Sequence, residues 1–127
     1  MRIFIVSAAF LAVLGAAAHS ADGDAEAGAK VFRRCQACHT ADGAQNRVGP
    51  YLAGVFGRPI ASLEDFSYSD ALREKGADGA VWDEASLSSY LMAPKEFAPG
   101  NKMAFAGLKK PEDIANIIAY LASLPAP

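Results

Sequence analysis

The sequence is poor in the residues from which disulfide frameworks and protein metal sites are built. It has two cysteines and two histidines among 127 residues, and one of the histidines, His19, lies close to the predicted end of an N-terminal leader. A structural zinc site needs four protein ligands. The two cysteines together with His39 supply only three, so the composition argues against structural zinc.

An excess of positive charge is also missing. The formal net charge is −2 at pH 7, and the chain has no recognised basic motif, which argues against nucleic-acid binding. The sequence shows no internal repeat, no low-complexity tract and no clear run of alternating apolar and polar residues of the kind that predicts a strand. It also shows no arrangement typical of a catalytic acid, base or nucleophile. We therefore expect one all-α domain that is not an enzyme.

The N-terminus carries the strongest hydrophobic run. Arg2 precedes an almost wholly apolar stretch over residues 3–18, and small residues then lead into a charged segment. This order is typical of a secretory signal peptide, and the run is shorter than the ~20 residues of a membrane-spanning helix. Cleavage after Ser20 fits the pattern, and cleavage after Ala18 fits nearly as well. The sequence predicts a signal peptide over residues 1–20, a domain over 21–127, a periplasmic location and no transmembrane segment in the mature protein.

Both cysteines lie in one five-residue motif, C-x-x-C-H at residues 35–39. This spacing is typical of c-type haem attachment. Positions i, i+3 and i+4 share one face of a helix, so Cys35 and Cys38 can reach the two haem vinyl groups while His39 faces the iron. A dithiol redox centre would need a strand–helix–strand context, and a bare disulfide would leave His39 without a role. The motif therefore predicts one covalently bound haem c.

Periodicity and cap residues predict four helices. The first extends from about Asp24 through His39, and the second begins at Ser69 and ends at Gly76. A third follows Trp82 and is stopped by Pro94. The last extends from Pro111 to Pro125, with acidic residues in its first turn. Glycines and prolines between residues 42 and 67 predict long loops.

A second iron ligand has two candidates in the mature chain, Met92 and Met103. Met92 lies near the end of an apolar helix, where packing is its expected role. Met103 follows Pro99 and Gly100, and a loop entered through such a turn can direct a thioether at a metal. His and Met form a recognised pair of haem ligands, so we expect Met103 to bind the iron, with ordinary core packing as the alternative.

Further segments follow in a characteristic order. They are V-G-P-Y-L at 48–52, G-V-F-G-R at 54–58, F-S-Y-S-D-A at 66–71, Trp82, Y-L at 90–91, P-K at 94–95, P-G-N-K-M-A-F at 99–105 and Y-L at 120–121. With the C-x-x-C-H motif, they make the chain resemble the class I cytochromes c, which include the mitochondrial protein and its soluble bacterial relatives. The resemblance spans residues 28–121. It implies a small all-α cytochrome c fold of about four to five helices, with long loops wrapped round one covalently bound haem.

The resemblance also implies roles for single residues. His39 and Met103 would be the axial ligands of the iron, and the carbonyl group of Pro50 would orient the His39 ring. The remaining haem-pocket residues would be Arg58, Tyr68 and Trp82 near a buried propionate, and Tyr90 near the Met103 sulfur. Gly28, Phe32 and Leu121 would meet where the first and last helices cross. For Arg58, Tyr68 and Trp82 taken singly, surface charge or plain packing is the alternative.

Two residues depart from the family pattern. Leu72 stands where the family often has an asparagine near the haem. Asn101 stands where a threonine is commoner in the loop before Met103. The first changes the polar contacts available to the haem, and the second leaves the hydrogen bonding of the Met103 loop open.

The implied function is that of a soluble one-electron carrier, because an iron bound by His39 and Met103 has no vacant position. Its partners would be redox proteins or membrane respiratory or photosynthetic complexes, and we expect a monomer. Seven basic residues would surround the haem edge and form a docking surface, whereas residues 64–84 carry seven acidic and two basic residues. Scattered solubilising charge is the alternative. The seven basic residues are Arg33, Arg34, Arg47, Lys95, Lys102, Lys109 and Lys110.

Two alternatives to the carrier function remain open. One is an electron-accepting haem subunit of a periplasmic oxidoreductase, and the other is a haem protein whose labile sixth ligand permits peroxidase-like or gas-binding activity.

Overall fold

The structure is a computed structural model that describes residues 23–127, so the predicted signal peptide lies outside the described residues. The helices are α1 (Ala25–Val31), α2 (Asp70–Ala77), α3 (Glu84–Met92), α4 (Pro94–Phe97) and α5 (Pro111–Ser123). Over the described range, β pairing is limited to an isolated bridge between Pro59 and Val81. None of the helices described is long and apolar enough to cross a membrane. The prediction of a small all-α fold is confirmed.

The first helix is shorter than predicted. Asp24 caps it by accepting a hydrogen bond from the N–H of Glu26, but α1 ends at Val31, and a single 3₁₀ turn follows at Phe32–Arg34. The continuous helix expected as far as His39 is therefore wrong. The chain tightens because the N–H of Cys35 bonds the carbonyl of Phe32, three residues back, at 2.8 Å. Such 3₁₀ turns are common at helix ends, and apolar spacing alone does not reveal them.

Helices α1 and α5 cross at a glycine. A Cβ atom on Gly28 would lie 2.0 Å from the carbonyl oxygen of Asn116, so no side chain fits there. The rings of Phe32 and Tyr120 lie beside this point, with their centroids 5.3 Å apart. Phe32 and Leu121 are both buried in the core. Helix α5 begins with Pro111 in its first turn, as the sequence predicts.

Helices α2, α3 and α4 follow one another in the chain, and α3 packs against both α4 and α5. The hydroxyl of Ser69 accepts the Leu72 N–H and caps α2, which ends one residue beyond Gly76. Asp83 and Ser86 form a reciprocal capping box at the start of α3. Pro94 does follow the end of α3, but it also begins α4, a helix that is not among the four predicted. Proline is common in the first turn of a helix, and this preference could have revealed α4.

Candidate haem site

The helices and loops enclose an apolar cavity of about 230 Å³. All nine residues of the predicted site line it: Cys35, Cys38, His39, Pro50, Arg58, Tyr68, Trp82, Tyr90 and Met103. Further apolar walls come from Val55, Leu87 and Ile117. Leu72, where the family often has an asparagine, is buried and adds an apolar side chain to the same lining.

The C-x-x-C-H motif forms a turn at the edge of this cavity. The N–H groups of Cys38 and His39 both donate to the carbonyl of Cys35, at 3.1 and 3.0 Å. Both cysteine side chains are half-buried and line the cavity. Within residues 23–127, no three side chains of the His, Cys, Asp and Glu types converge as a metal-binding group. The local turn thus places Cys35, Cys38 and His39 beside one cavity even though α1 does not reach them.

The ring of His39 is held from two sides. Its Nδ1 atom lies 2.7 Å from the carbonyl oxygen of Pro50. A carbonyl oxygen only accepts, so the proton of the neutral ring resides on Nδ1, and the lone pair of Nε2 is free for a metal. Desolvation by burial lowers the pKa of His39, although the Pro50 contact acts in the opposite direction. Gly49 packs against the ring and leaves room for no side chain.

Arg58 brings an unpaired donor into the site. Its Nη2 atom donates to the carbonyl of Tyr51 at 3.0 Å, and the guanidinium group lies over the Tyr51 ring. Its Nη1 atom is buried and has no hydrogen-bond partner among the described residues. Burial lowers the pKa of Arg58, yet an arginine stays charged in proteins. A buried charged donor without a partner is costly, and a haem propionate has the chemistry to satisfy it.

Stacked aromatic rings form the wall beside α3 and α4. Trp82 and Tyr90 stack with centroids 5.1 Å apart, and Phe97 of α4 packs against both at 5.9 and 5.4 Å. Burial raises the pKa of Tyr90 to about 12. The hydroxyl of Tyr68 accepts the N–H of Leu63 at 3.3 Å. Phe97 is not among the residues predicted from the sequence, because its packing against Trp82 and Tyr90 depends on α4.

The two methionines occupy different environments. Met103 is partly buried and lines the cavity, whereas Met92 is 52 % exposed and does not line it. The packing role expected for Met92 is therefore wrong. Met92 follows the buried Tyr90 by two residues, which corresponds to about 200° of rotation round the helix. Its side chain consequently leaves α3 on the side opposite to Tyr90.

The loop before Met103 is organised by Asn101. The side-chain oxygen of Asn101 accepts the N–H of Met103 at 2.9 Å. Its side-chain nitrogen donates to the carbonyls of Pro94 and Ala98, both at 3.0 Å. The hydrogen bonding that the sequence left open is thus supplied by one carboxamide.

The chain matches known proteins over most of its length. The family model described as cytochrome c matches residues 25–125. The chain is 53% identical to cytochrome c2 of Afifella marina over 96 residues, and the aligned stretch covers 75% of this chain and 77% of that protein. It is 49% identical over 100 residues to cytochrome c-550 of Ancylobacter novellus, covering 78% of this chain and 94% of that protein.

A solved structure agrees with these sequence matches. Cytochrome cH from Methylobacterium extorquens superposes with a TM-score of 0.72 and 42% identity, covering 80% of this chain and 99% of that one. The expectation of a class I cytochrome c is confirmed, as is that of an attached haem. The chain therefore belongs to the cytochrome c family, is an electron-transfer protein rather than an enzyme, and carries one covalently bound haem c.

Proposed function

We propose that the protein is a periplasmic one-electron carrier in which His39 and Met103 are the axial ligands of the haem iron. The observation that carries this proposal is that both residues line one cavity, with the Nε2 atom of His39 left free by the contact between Nδ1 and Pro50. Cys35 and Cys38 stand at the same cavity as the two points of covalent attachment.

The bound haem supplies a one-electron couple, and the residues of this chain adjust it. The carbonyl of Pro50 fixes the tautomer of His39 and raises its basicity as a ligand. The thioether of Met103 favours the ferrous state and raises the reduction potential. The apolar lining keeps water away, which acts in the same direction. If His39 and Met103 both bound the iron, no position would be left for oxygen or peroxide.

The two methionines provide a matched test of this ligand set. We expect Met103→Ala to abolish the weak far-red band of the ferric protein and to lower its reduction potential by more than 100 mV. That shift is more than about 2 kcal/mol for one electron. Met92→Ala removes the same side chain from an exposed position, and both properties should stay as in the wild type. An unchanged spectrum and potential in Met103→Ala would reject Met103 as a ligand.

For partner docking we propose a basic surface at the mouth of the cavity. Arg34 and Lys102 line the cavity, and the guanidinium of Arg34 lies over the ring of Phe105 at 5.5 Å. Arg47 is exposed and donates to the carbonyl of Gln36, within the haem-binding motif. Positive charge therefore stands at the edge of the site, where it would steer the protein to acidic redox partners. Arg33 borders a separate groove beside α1, together with Asp24 and Glu26.

Association kinetics test this docking surface. We expect the rate of electron transfer to a purified acidic redox partner to fall steeply with ionic strength. The double variant Arg34→Gln, Lys102→Gln should flatten that dependence, whereas Lys30→Gln on α1 should leave it unchanged. A flat salt dependence in the wild type would remove the basic surface from the account.

Export and processing are also part of the proposal. Gly23 packs closely against α5, because an added Cβ atom there would lie 2.0 Å from the carbonyl oxygen of Ala115. The main-chain N–H of the next residue, Asp24, donates to the side chain of Asn116 at 2.9 Å. Cleavage after Ser20 would leave these contacts intact. We expect the periplasmic fraction to hold a coloured protein that begins at Ala21, and a protein retaining residues 1–20 would contradict this.

A further inference from the structure

Asn101 connects the two sides of the segment that carries Met103. Its carboxamide nitrogen bonds the carbonyls of Pro94 and Ala98, at the first residue of α4 and just beyond its last. Its carboxamide oxygen bonds the N–H of Met103. Inside the segment, the N–H of Phe105 bonds the carbonyl of Met103 at 2.9 Å. The main-chain bonds that tie the segment to its surroundings lie towards its ends. They join the N–H of Asn101 to the Ala98 carbonyl at 2.9 Å and the N–H of Leu108 to the Leu91 carbonyl at 2.8 Å.

We propose that Asn101 is a positioning residue that holds the Met103 segment against α4 and thereby keeps the Met103 thioether at the iron. This proposal rests on the proposed ligation by Met103. The Asn101 side chain does not itself need to touch the haem. It acts by joining the N–H of Met103 to the carbonyls of Pro94 and Ala98, which the bond from the Ala98 N–H to the Pro94 carbonyl already holds together. Met103 follows the main chain to which it belongs.

The chemistry of the carboxamide makes this role specific. An asparagine side chain accepts through its oxygen and donates two hydrogens through its nitrogen. Asn101 accepts one bond and donates two. An aspartate would keep the acceptor for Met103 but would lose both donors to α4. A threonine has a single hydroxyl hydrogen and cannot bond both carbonyls. Substitution at position 101 can therefore separate the contact to Met103 from the contacts to α4.

Binding of imidazole to the ferric holoprotein measures how often Met103 leaves the iron. An added ligand can bind only when the position is vacant, so its apparent affinity scales with the vacant fraction. We expect Asn101→Ala to bind imidazole roughly tenfold more tightly than the wild type, equivalent to about 1.4 kcal/mol. Asn101→Asp should tighten binding to a similar extent, because the two bonds to α4 are lost.

Hydrogen exchange at the Met103 amide provides a readout independent of the iron. In Asn101→Ala this amide should exchange at least about tenfold faster, which is the change a loss of about 1.4 kcal/mol produces. In Asn101→Asp it should remain protected, because the carboxylate still accepts the bond. The matched control is Asn116→Ala, which removes a partly buried asparagine and its bond to Asp24 at the crossing of α1 and α5. That variant should leave imidazole affinity and Met103 exchange unchanged.

Two results would overturn the role of Asn101. One is wild-type imidazole affinity together with wild-type Met103 exchange in Asn101→Ala. The other is an equal tightening in Asn116→Ala, which would show that general softening of the fold is enough. Failure of ligation itself has a different signature: Met103→Ala would then bind imidazole no more tightly than the wild type. In that case Met103 amide exchange would still decide whether Asn101 holds the segment.

Discussion

Gly49 and His39 are packed so closely that no side chain can stand between them. A Cβ atom on Gly49 would lie 2.3 Å from the Cε1 atom of the His39 ring and 2.7 Å from its Nδ1 atom. Because Gly49 has no side chain, the imidazole of His39 has room to reach the carbonyl of Pro50. The backbone of one residue thus sets the orientation of the proposed iron ligand.

Replacing Gly49 by alanine should displace the His39 ring. We expect Gly49→Ala to weaken the bond to Pro50, to alter the ferric absorption spectrum and to destabilise the protein by about 1–3 kcal/mol through overpacking. Gly43→Ala on the same loop is the matched control. Its added Cβ would meet no atom within 4 Å, and only its positive φ of 76° opposes the substitution. Gly43→Ala should therefore lose stability while keeping the wild-type spectrum, and a normal spectrum in Gly49→Ala would contradict the packing account.

At the crossing of α1 and α5, a methyl group added at Gly28 should lower the free energy of unfolding. Alanine is favoured over glycine within a helix by about 1 kcal/mol, so propensity alone predicts that Gly28→Ala stabilises the protein. The clash with the Asn116 carbonyl should reverse that sign and give a net loss of about 1–3 kcal/mol. Ala29→Gly at an exposed position of α1 should lose about 1 kcal/mol from propensity alone. Chemical unfolding followed by circular dichroism measures both, and a more stable Gly28→Ala protein would refute the close crossing.

Arg58 should influence the reduction potential through its charge. A nearby positive charge disfavours the ferric state, so Arg58→Gln should lower the potential by on the order of 50 mV, given that about 59 mV corresponds to 1.4 kcal/mol for one electron. Arg73→Gln is the control, because Arg73 is an exposed arginine paired with Asp70 on α2. Redox titration should show little change in that variant. Equal potentials for Arg58→Gln and the wild type would mean that the buried Nη1 atom does not face a haem propionate.

The buried hydroxyl of Tyr90 predicts a loss of stability at high pH. Burial raises the pKa of Tyr90 to about 12, whereas an unfolded tyrosine ionises near pH 10. The unfolded state therefore loses this proton first, and stability should fall as pH rises from about 10 to 12, by up to about 1.4 kcal/mol per pH unit. Tyr90→Phe has no proton to lose at this position. Its urea unfolding midpoint should fall less steeply over that range, and identical slopes would contradict the prediction.

The local part of the site could be predicted because its chemistry is contained in short spacings. Residues 35–39 carry the attachment chemistry within one turn, and Met103 follows a turn that Pro99 and Gly100 mark. The nine predicted residues all line the cavity. Their roles in binding the haem remain predictions.

The contacts of Asn101 and Phe97 could not be predicted in the same way. Both depend on α4, whereas the helices predicted from the sequence include Pro94 only as the end of α3. Without α4, the carbonyls of Pro94 and Ala98 had no assigned position, so the partners of Asn101 could not be foreseen. The exposure of Met92 likewise depends on which face of α3 is buried, and apolar composition does not show that.

The most direct test of the account is proton NMR of the ferrous protein. A methionine bound to the iron places its methyl group close to the face of the porphyrin, where the ring current shifts its resonance far upfield. We expect one such three-proton resonance, present in the wild type and in Met92→Ala and absent from Met103→Ala. A wild-type spectrum without this resonance, or its loss in Met92→Ala alone, would contradict ligation by Met103.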